Sequence, residues 1–568
     1  MFNTITVFNG KVMTNFSNLL TNSKPDLDTI YIYNGTSWNT FLPTSGYTTT
    51  SLKGFPTTLV MVQEKAVSTF DLTLGQDGYF PYYFGDIARS NHAIIDNANT
   101  VWIADAKYGL VSFASGQGFN YRYPNGPGSS TATAMSLQND KLLVAPGGVN
   151  SGWGNLYIVD GLYEYSNSQW TNPRGNYPSI VNMDTIFDIV NVLVDPVDSK
   201  RVYSASWGRG VLEFYNGVPV KHYNETNSSL QTLNIVGYTP VWTYGLAVDE
   251  SRNLWVTNSG NGVQKSISRK TPNGSWLALD FSPFVGTTPY LGQILVDKLD
   301  QKWIIIARGG GIMVYKGKTT AAPNSSNTKK LTQETGKGHL PSTGVYCLAE
   351  DLDGEIWIGT DKGVAVFYSP ENLFNGQNFD SQQILLEQDG HVQILLETEL
   401  VQAIAVDQAN RKWIATANSG VFLMSADGTE QIAHFDENNS PLFSNEVKGI
   451  AINHKTGEVY FSTSKGIISF RGNATEAFED FTDVYAFPNP VRENYEGPIA
   501  IKGLINNTTL KITDISGSLV YETKSEGGQA IWNGKNFKGE RVSSGVYMVF
   551  CSSPDGAKKM VTKILFIN

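Results

Sequence analysis

Catalytic or metal chemistry in this 568-residue chain would have to start from six histidines, two cysteines and a few closely spaced acids. His92, His222, His339, His391, His434 and His454 are scattered singly, and no two stand at i and i+4, the spacing that sets two imidazoles on one helix face around zinc. Each is expected on a loop or at the surface. Cys347 and Cys551 lie far apart in sequence and are expected as small buried side chains rather than a disulfide. Carboxylates crowd together in "AEDLDGE", but Asp351 and Asp353 fall in a recurring polar turn, where Asp bonds its own backbone two residues on. The glycines of "GRGVLEF" and "RGGGIMVY" read as turns between strands; neither a P-loop nor a G-x-S-x-G elbow occurs. The expectation is a protein that is not an enzyme and uses no cofactor and no metal.

Composition narrows the partners. A formal net charge of −10 repels phosphate backbones, so nucleic acid is set aside. Hydrophobic residues at 41% against 17% charged give enough apolar material for folded domains. No apolar run of roughly 18 residues exists to span a bilayer as a helix. The start, "MFNTITVFNGKVMTNF", reads as strand and lacks the features of a signal peptide.

What must position any site is a repeat. "LAEDLDGEIWIGTDKGVAVFY" at 348–368 has counterparts beginning near 93, 192, 246, 294, 404 and 450. Their aligned polar residues, Asp195, Asp249, Asp297, Asp351, Asp407 and Asn453, are separated by 46 to 56 positions. A period near 50 signals blades or solenoid units. Each copy reads as an apolar strand, a turn opened by Asp, a strand with an aromatic residue, a glycine turn and another apolar strand. Trp102, Trp255, Trp303, Trp357 and Trp413 keep one register and are expected to pack between neighbouring sheets. Such sheets bury both faces by stacking radially, which makes them β-propeller blades. "AMSLQNDKLLVAP" at 134–146 fits a divergent blade, and "LVMVQEKAVSTFD" and "ITVFNGKVMTNFSN" with "IYIYNGTSWNTF" fit two more upstream.

The fold class expected is therefore all-β: two β-propellers with about ten blades in total, one propeller incomplete, then a C-terminal immunoglobulin-like β-sandwich. The boundaries expected are a partial propeller of about three blades over 1–133, a propeller of about seven over 134–482, and the sandwich over 483–568. Three blades without their ring would leave an apolar face in water, so a further stretch upstream, with a signal peptide, is expected. A hydrolase or lyase propeller would need convergent carboxylates or a metal in its funnel, and no residues single themselves out for that.

From "FPNPV" at 487 onward the texture changes to alternating strands with frequent turns. Pro488, Asn489 and Pro490, the turn from Asp514 to Gly517, Gly528, Trp532, Gly534, Gly545, Tyr547 and Lys563 follow in an order that resembles the C-terminal domain of proteins handled by the type IX secretion system of Bacteroidetes. The repeats themselves resemble the two-component-regulator propeller. Together these likenesses imply export through the periplasm to the outer-membrane surface. A surface accessory component of that system is the first reading, working with its sortase and with outer-membrane shuttle and attachment proteins and binding anionic lipopolysaccharide. The second is an exported cargo such as a glycan-binding adhesin, and the third a periplasmic sensor region of a hybrid two-component regulator. For a glycan, aromatic faces beside hydrogen-bond donors on loops are wanted. Trp153 in "GGVNSGWGNLY" and Trp207 with Arg209 in "SASWGRG" stand outside the repeat's Trp register and are the candidates.

Overall fold

The computed structural model describes residues 2–16, 29–42, 47–122, 125–316, 321–388, 391–481 and 483–567. It divides into two compact units, Met1–Gly126 and Pro127–Asn568. The first unit carries three four-stranded antiparallel sheets, whose innermost strands are Phe2–Phe8, Thr49–Gly54 and Ser90–Ile95. One apolar cluster with Phe8, Ile30, Leu59 and Phe70 joins the first sheet to the second, and another with Val62, Val67, Ile103 and Val111 joins the second to the third. The linker 17–28 within the first of these sheets lies outside the described residues.

The second unit begins with seven sheets whose innermost strands are Ala134–Gln138, Ile189–Val194, Val241–Val248, Leu291–Val296, Val345–Glu350, Val401–Val406 and Val447–Asn453. They are called blades one to seven below. Each innermost strand lies beside that of the next blade, and the seventh returns to the first, so the ring closes. Tyr163 and Leu142 of blade one pack with Ala451 of blade seven at this seam, and Asn453 Nδ2 donates to Asp140 Oδ1 across it at 2.6 Å. Blades one to six have four strands and blade seven three. The sequence reading had three strands per copy; the fourth is the weakest in pattern because it is the outermost and the most exposed.

The recurring Asp does more than open a turn. In Asp96, Asp249, Asp297, Asp351 and Asp407, one carboxylate oxygen accepts the backbone N–H four residues on, and the other accepts the indole N–H of the Trp six residues on, at 2.7–3.2 Å. Trp255, Trp303, Trp357 and Trp413 are essentially fully buried, so the carboxylate satisfies a donor that burial would otherwise strand. A lysine from the next blade completes the joint in two places. Lys302 lies 4.8 Å from the Trp255 ring, and Lys412 lies 4.5 Å from Trp357 while its Nζ meets Asp351 Oδ2 at 2.9 Å, both side chains of that ion pair fully buried.

After blade seven the chain forms a β-sandwich. A sheet of Tyr485–Phe487, Ile499–Lys502 and Gln529–Trp532 faces one ordered Val491–Arg492, Lys559–Ile567, Gly545–Ser552, Thr509–Thr513 and Leu519–Lys524. Ile501, Leu510, Ile512, Trp532, Val549, Ile564 and Phe566 fill the space between them.

Candidate functional site

Among the described residues no group of three or more His, Cys, Asp or Glu gathers as a metal site. Cys347 and Cys551 are free and buried, and burial pushes both thiols up to about 12, so neither supplies a thiolate near neutral pH. The channel along the ring axis has a volume of about 520 Å³ and is lined by the innermost strands, among them Asn191, Gln293, Tyr346, Gln402 and Lys448. Gln293 is spent on the backbone of Leu348, both accepting from its N–H and donating to its carbonyl. A smaller cavity of about 200 Å³ collects Arg201, Arg252 and Lys270, each with a carboxylate beside it: Lys270 lies 3.8 Å from Glu213, Arg252 lies 3.6 Å from Asp195, and Arg201 pairs with Glu213.

Two regions stand apart. The first is the sandwich, where the motif residues resolve into structural devices. Pro488 and Pro490 follow cis peptide bonds, and the Asn489 side chain between them donates to Lys563 O and accepts from Leu565 N, each at 3.0 Å, tying that corner to the last strand. Asp514 accepts the N–H groups of Ser516 and Ser518 at 2.8 and 3.0 Å, and Gly517 takes φ of +88° to close the turn. The Ser516 hydroxyl bond, first among these, holds the Asp514 carboxyl below its usual range. Trp532 is fully buried and donates Nε1 to Lys535 O at 2.8 Å; Gly534 follows at φ +70°, and Tyr547 sends its hydroxyl to Ser543 O at 2.9 Å. Gly545 opens the strand that pairs with the last one, in which Lys563 stands opposite Met548 on the exposed side. Gly528 serves the junction with the propeller, since a Cβ there would stand 2.0 Å from Glu476 O. Around it Arg411 of blade six reaches Glu526 at 2.6 Å and Asp407 at 2.8 Å, and Gln529 donates to Asn473 O at 2.7 Å.

The second region is the end of the ring where blades two and three meet. Both blades join into one eight-stranded sheet because Trp207, at the end of Arg201–Gly208, pairs with Trp242 at the start of Val241–Val248. Their rings stack at 4.9 Å, and Trp153 closes over them, 5.4 Å from Trp207 and 5.2 Å from Tyr244. This corrects the sequence expectation for Trp207. Its ring is 0% exposed and its N–H donates to Trp153 O at 3.0 Å, so it is a packing residue with no face to offer a ligand. Trp153 is half-buried, its ring covered by the same aromatic group. Of the three candidates, Arg209 alone remains a free charge: its guanidinium stacks 5.0 Å from the Phe187 ring and forms no ion pair among the described residues, and its Nε finds no acceptor.

The residue that builds this end was not singled out in the sequence. Asp188 is fully buried just before blade two, and its two oxygens accept the backbone N–H groups of Leu156, Tyr157 and Ile158 at 2.9–3.0 Å and the Asn155 amide at 3.1 Å. That clamp fixes the loop inserted between the second and third strands of blade one. It sets Tyr157, 64% exposed, 5.2 Å from Phe187 on the side away from the core. Tyr238, in the loop entering blade three, has its hydroxyl pKa raised by burial first, with the Arg209 charge opposing this and Tyr157 adding to it. The only available signal was the surplus of residues between "KLLVAP" and "YEYS".

Comparison with known proteins bears on both regions. Residues 485–567 match the secretion system C-terminal sorting domain, and residues 339–362 match the two component regulator propeller. The fold is that of PorZ, an essential bacterial surface component of the type-IX secretion system of Porphyromonas gingivalis: 23% identity, covering 99% of this chain and 75% of that one, with a TM-score of 0.71. A curated relative, Histidine kinase P4 of Formosa agariphila, is 28% identical over 109 residues, 19% of this chain and only 7% of that protein. The chain is thus PorZ-like in fold and carries a type IX sorting domain at residues 485–567.

Proposed function

We propose that the chain is a non-enzymatic surface component of the type IX secretion system, which assists the sortase and the outer-membrane shuttle and attachment proteins and binds anionic lipopolysaccharide. The observation that carries this reading is the pairing of a sorting domain at 485–567 with the PorZ fold over nearly the whole chain. The alternative, an exported adhesin-like cargo, shares the sorting domain and differs in what happens to it at the surface.

Residues 484–568 fused to a periplasmic reporter with a signal peptide should reach the surface of a type IX host. A folded fusion that stays in the periplasm rejects the transport reading. Mature protein shaved from the cell surface is expected to retain the tryptic peptide containing Trp532, since the linker at 473–476 is held by the propeller and the sandwich together. Loss of that peptide favours the cargo.

A further inference from the structure

The arginines of the propeller divide by partner. Arg174, Arg201, Arg252 and Arg411 all meet carboxylates, whereas Arg209, like Arg269, Arg308 and Arg471, meets none among the described residues. An unpaired cation is common on a mobile surface side chain, but Arg209 is held. Its backbone N–H takes Ser206 Oγ at 3.1 Å, its carbonyl is bonded by the His222 ring, and its guanidinium lies on Phe187. The ring fits over the turn because residue 208 is glycine, where a Cβ would fall 2.3 Å from the Phe187 ring atoms. A side chain so positioned, half-buried, stacked on a ring and without a carboxylate partner among the described residues, is prepared for an anion the protein does not supply.

Its surroundings select the kind of anion. Tyr157, 64% exposed, lies on the same Phe187 ring as the guanidinium, Tyr238 is 38% exposed, and Leu156, Val159, Ile235 and Val236 on the same two loops are exposed as well. Flat ring faces with aliphatic neighbours cover C–H surfaces, which bare phosphate or sulfate lacks and a sugar ring has. The loop bearing Tyr157 is fastened by the buried Asp188, so the faces are set before any ligand arrives.

We infer that this end of the ring, at blades one to three, binds an anionic oligosaccharide, with Arg209 meeting a carboxylate, sulfate or phosphate substituent and Tyr157 and Tyr238 covering the adjoining sugar faces. The inference rests on the lipopolysaccharide arm of the function proposed above and moves the contact from Trp153 and Trp207 to their exposed neighbours.

The test is calorimetric titration of the full chain with three hexasaccharides: neutral maltohexaose, hexagalacturonate and sulfated maltohexaose. At least one charged probe should bind and the neutral one should not. Arg209→Ala should weaken that binding about 10-fold or more, the scale of a charge-assisted contact. Arg209→Lys should recover part of it, and Tyr157→Ala should weaken it without changing the preference for charge. Unchanged affinity in a folded Arg209→Ala protein overturns the site, as does failure of every probe to bind wild type or tighter binding of a hexaglutamate peptide than of any saccharide. The reporter fusion reads the sorting domain alone, so either result leaves the transport reading separately decided.

Discussion

The joint between blades five and six and the joint between blades two and three solve the same packing problem in opposite ways. At the former, Lys412 inserts its ammonium between Asp351, the Trp357 ring and the carbonyl of Asn410, and the Trp357 indole N–H is also satisfied by Asp351. Donors and acceptors there are matched to one another. At the latter, the Asp-to-indole bond is missing from blade two, two tryptophans from adjacent blades pair directly, and both Arg209 Nε and Trp242 Nε1 are left without acceptors. Where the repeat is followed, its Asp satisfies its own indole; where it is broken, ring packs on ring and two buried donors go unmatched.

Substitutions test that contrast, and the largest effect is expected where matching is tightest. Lys412→Ala strands the buried Asp351 carboxylate, which should cost about 3–5 kcal/mol, read as a lowered midpoint in urea unfolding. Arg411→Ala should cost less, about 1–3 kcal/mol, and should appear as earlier proteolysis of the linker between propeller and sandwich, because Glu526 loses its cation while half-buried.

Glu355 refines the same joint by pH. Burial, and then the neighbouring Asp351 charge, raise it to about 7. A carboxyl raised on folding adds stability that is fully present below its unfolded value near 4.5 and is lost as pH climbs through about 7. Glu355→Gln should therefore melt with wild type at pH 4 and above it at pH 8; a constant offset at both would remove the assignment. The smallest effect belongs to the broken joint: Arg209→Ala should change stability by under about 1 kcal/mol, the scale of its stacking on Phe187. A loss comparable to that of Lys412→Ala would show Arg209 to be part of the packing and erase the contrast.

The same contrast marks what could be read from sequence. The Asp and Trp registers, the near-50 period and the turn glycines disclosed the blades, because each copy repeats one local solution and repetition is visible in one dimension. The motif from Pro488 to Lys563 disclosed the sandwich through turns and strand alternation, although the bond from the Asn489 side chain to the last strand lies 74 positions away and left no local trace. At blades two and three the sequence offers Trp153, Trp207 and Arg209, and the full burial of Trp207 is what its spacing does not show. Trp207 looked free because it sits outside the register, but a large apolar ring outside one register is available to another partner, here Trp242. Asp188 was invisible because its four partners come from a loop some 30 residues earlier and no spacing rule links them.

The seam between blades one and seven has a kinetic consequence. Adjacent blades close loops of about 50 residues, whereas the Asn453–Asp140 bond closes one of 313. With each doubling of a loop costing about 0.6 kcal/mol of chain entropy, the seam is dearer than any other blade contact by roughly 1.6 kcal/mol, and it cannot nucleate the ring. The sandwich is attached at 473–476, immediately beyond the last strand of blade seven, through the Thr475–Gly527 bridge. That bridge spans about the same length of chain as a contact between adjacent blades, so only the seam carries the added entropy. In refolding followed by amide exchange, protection at Val447–Asn453 should trail that at Ile356–Thr360.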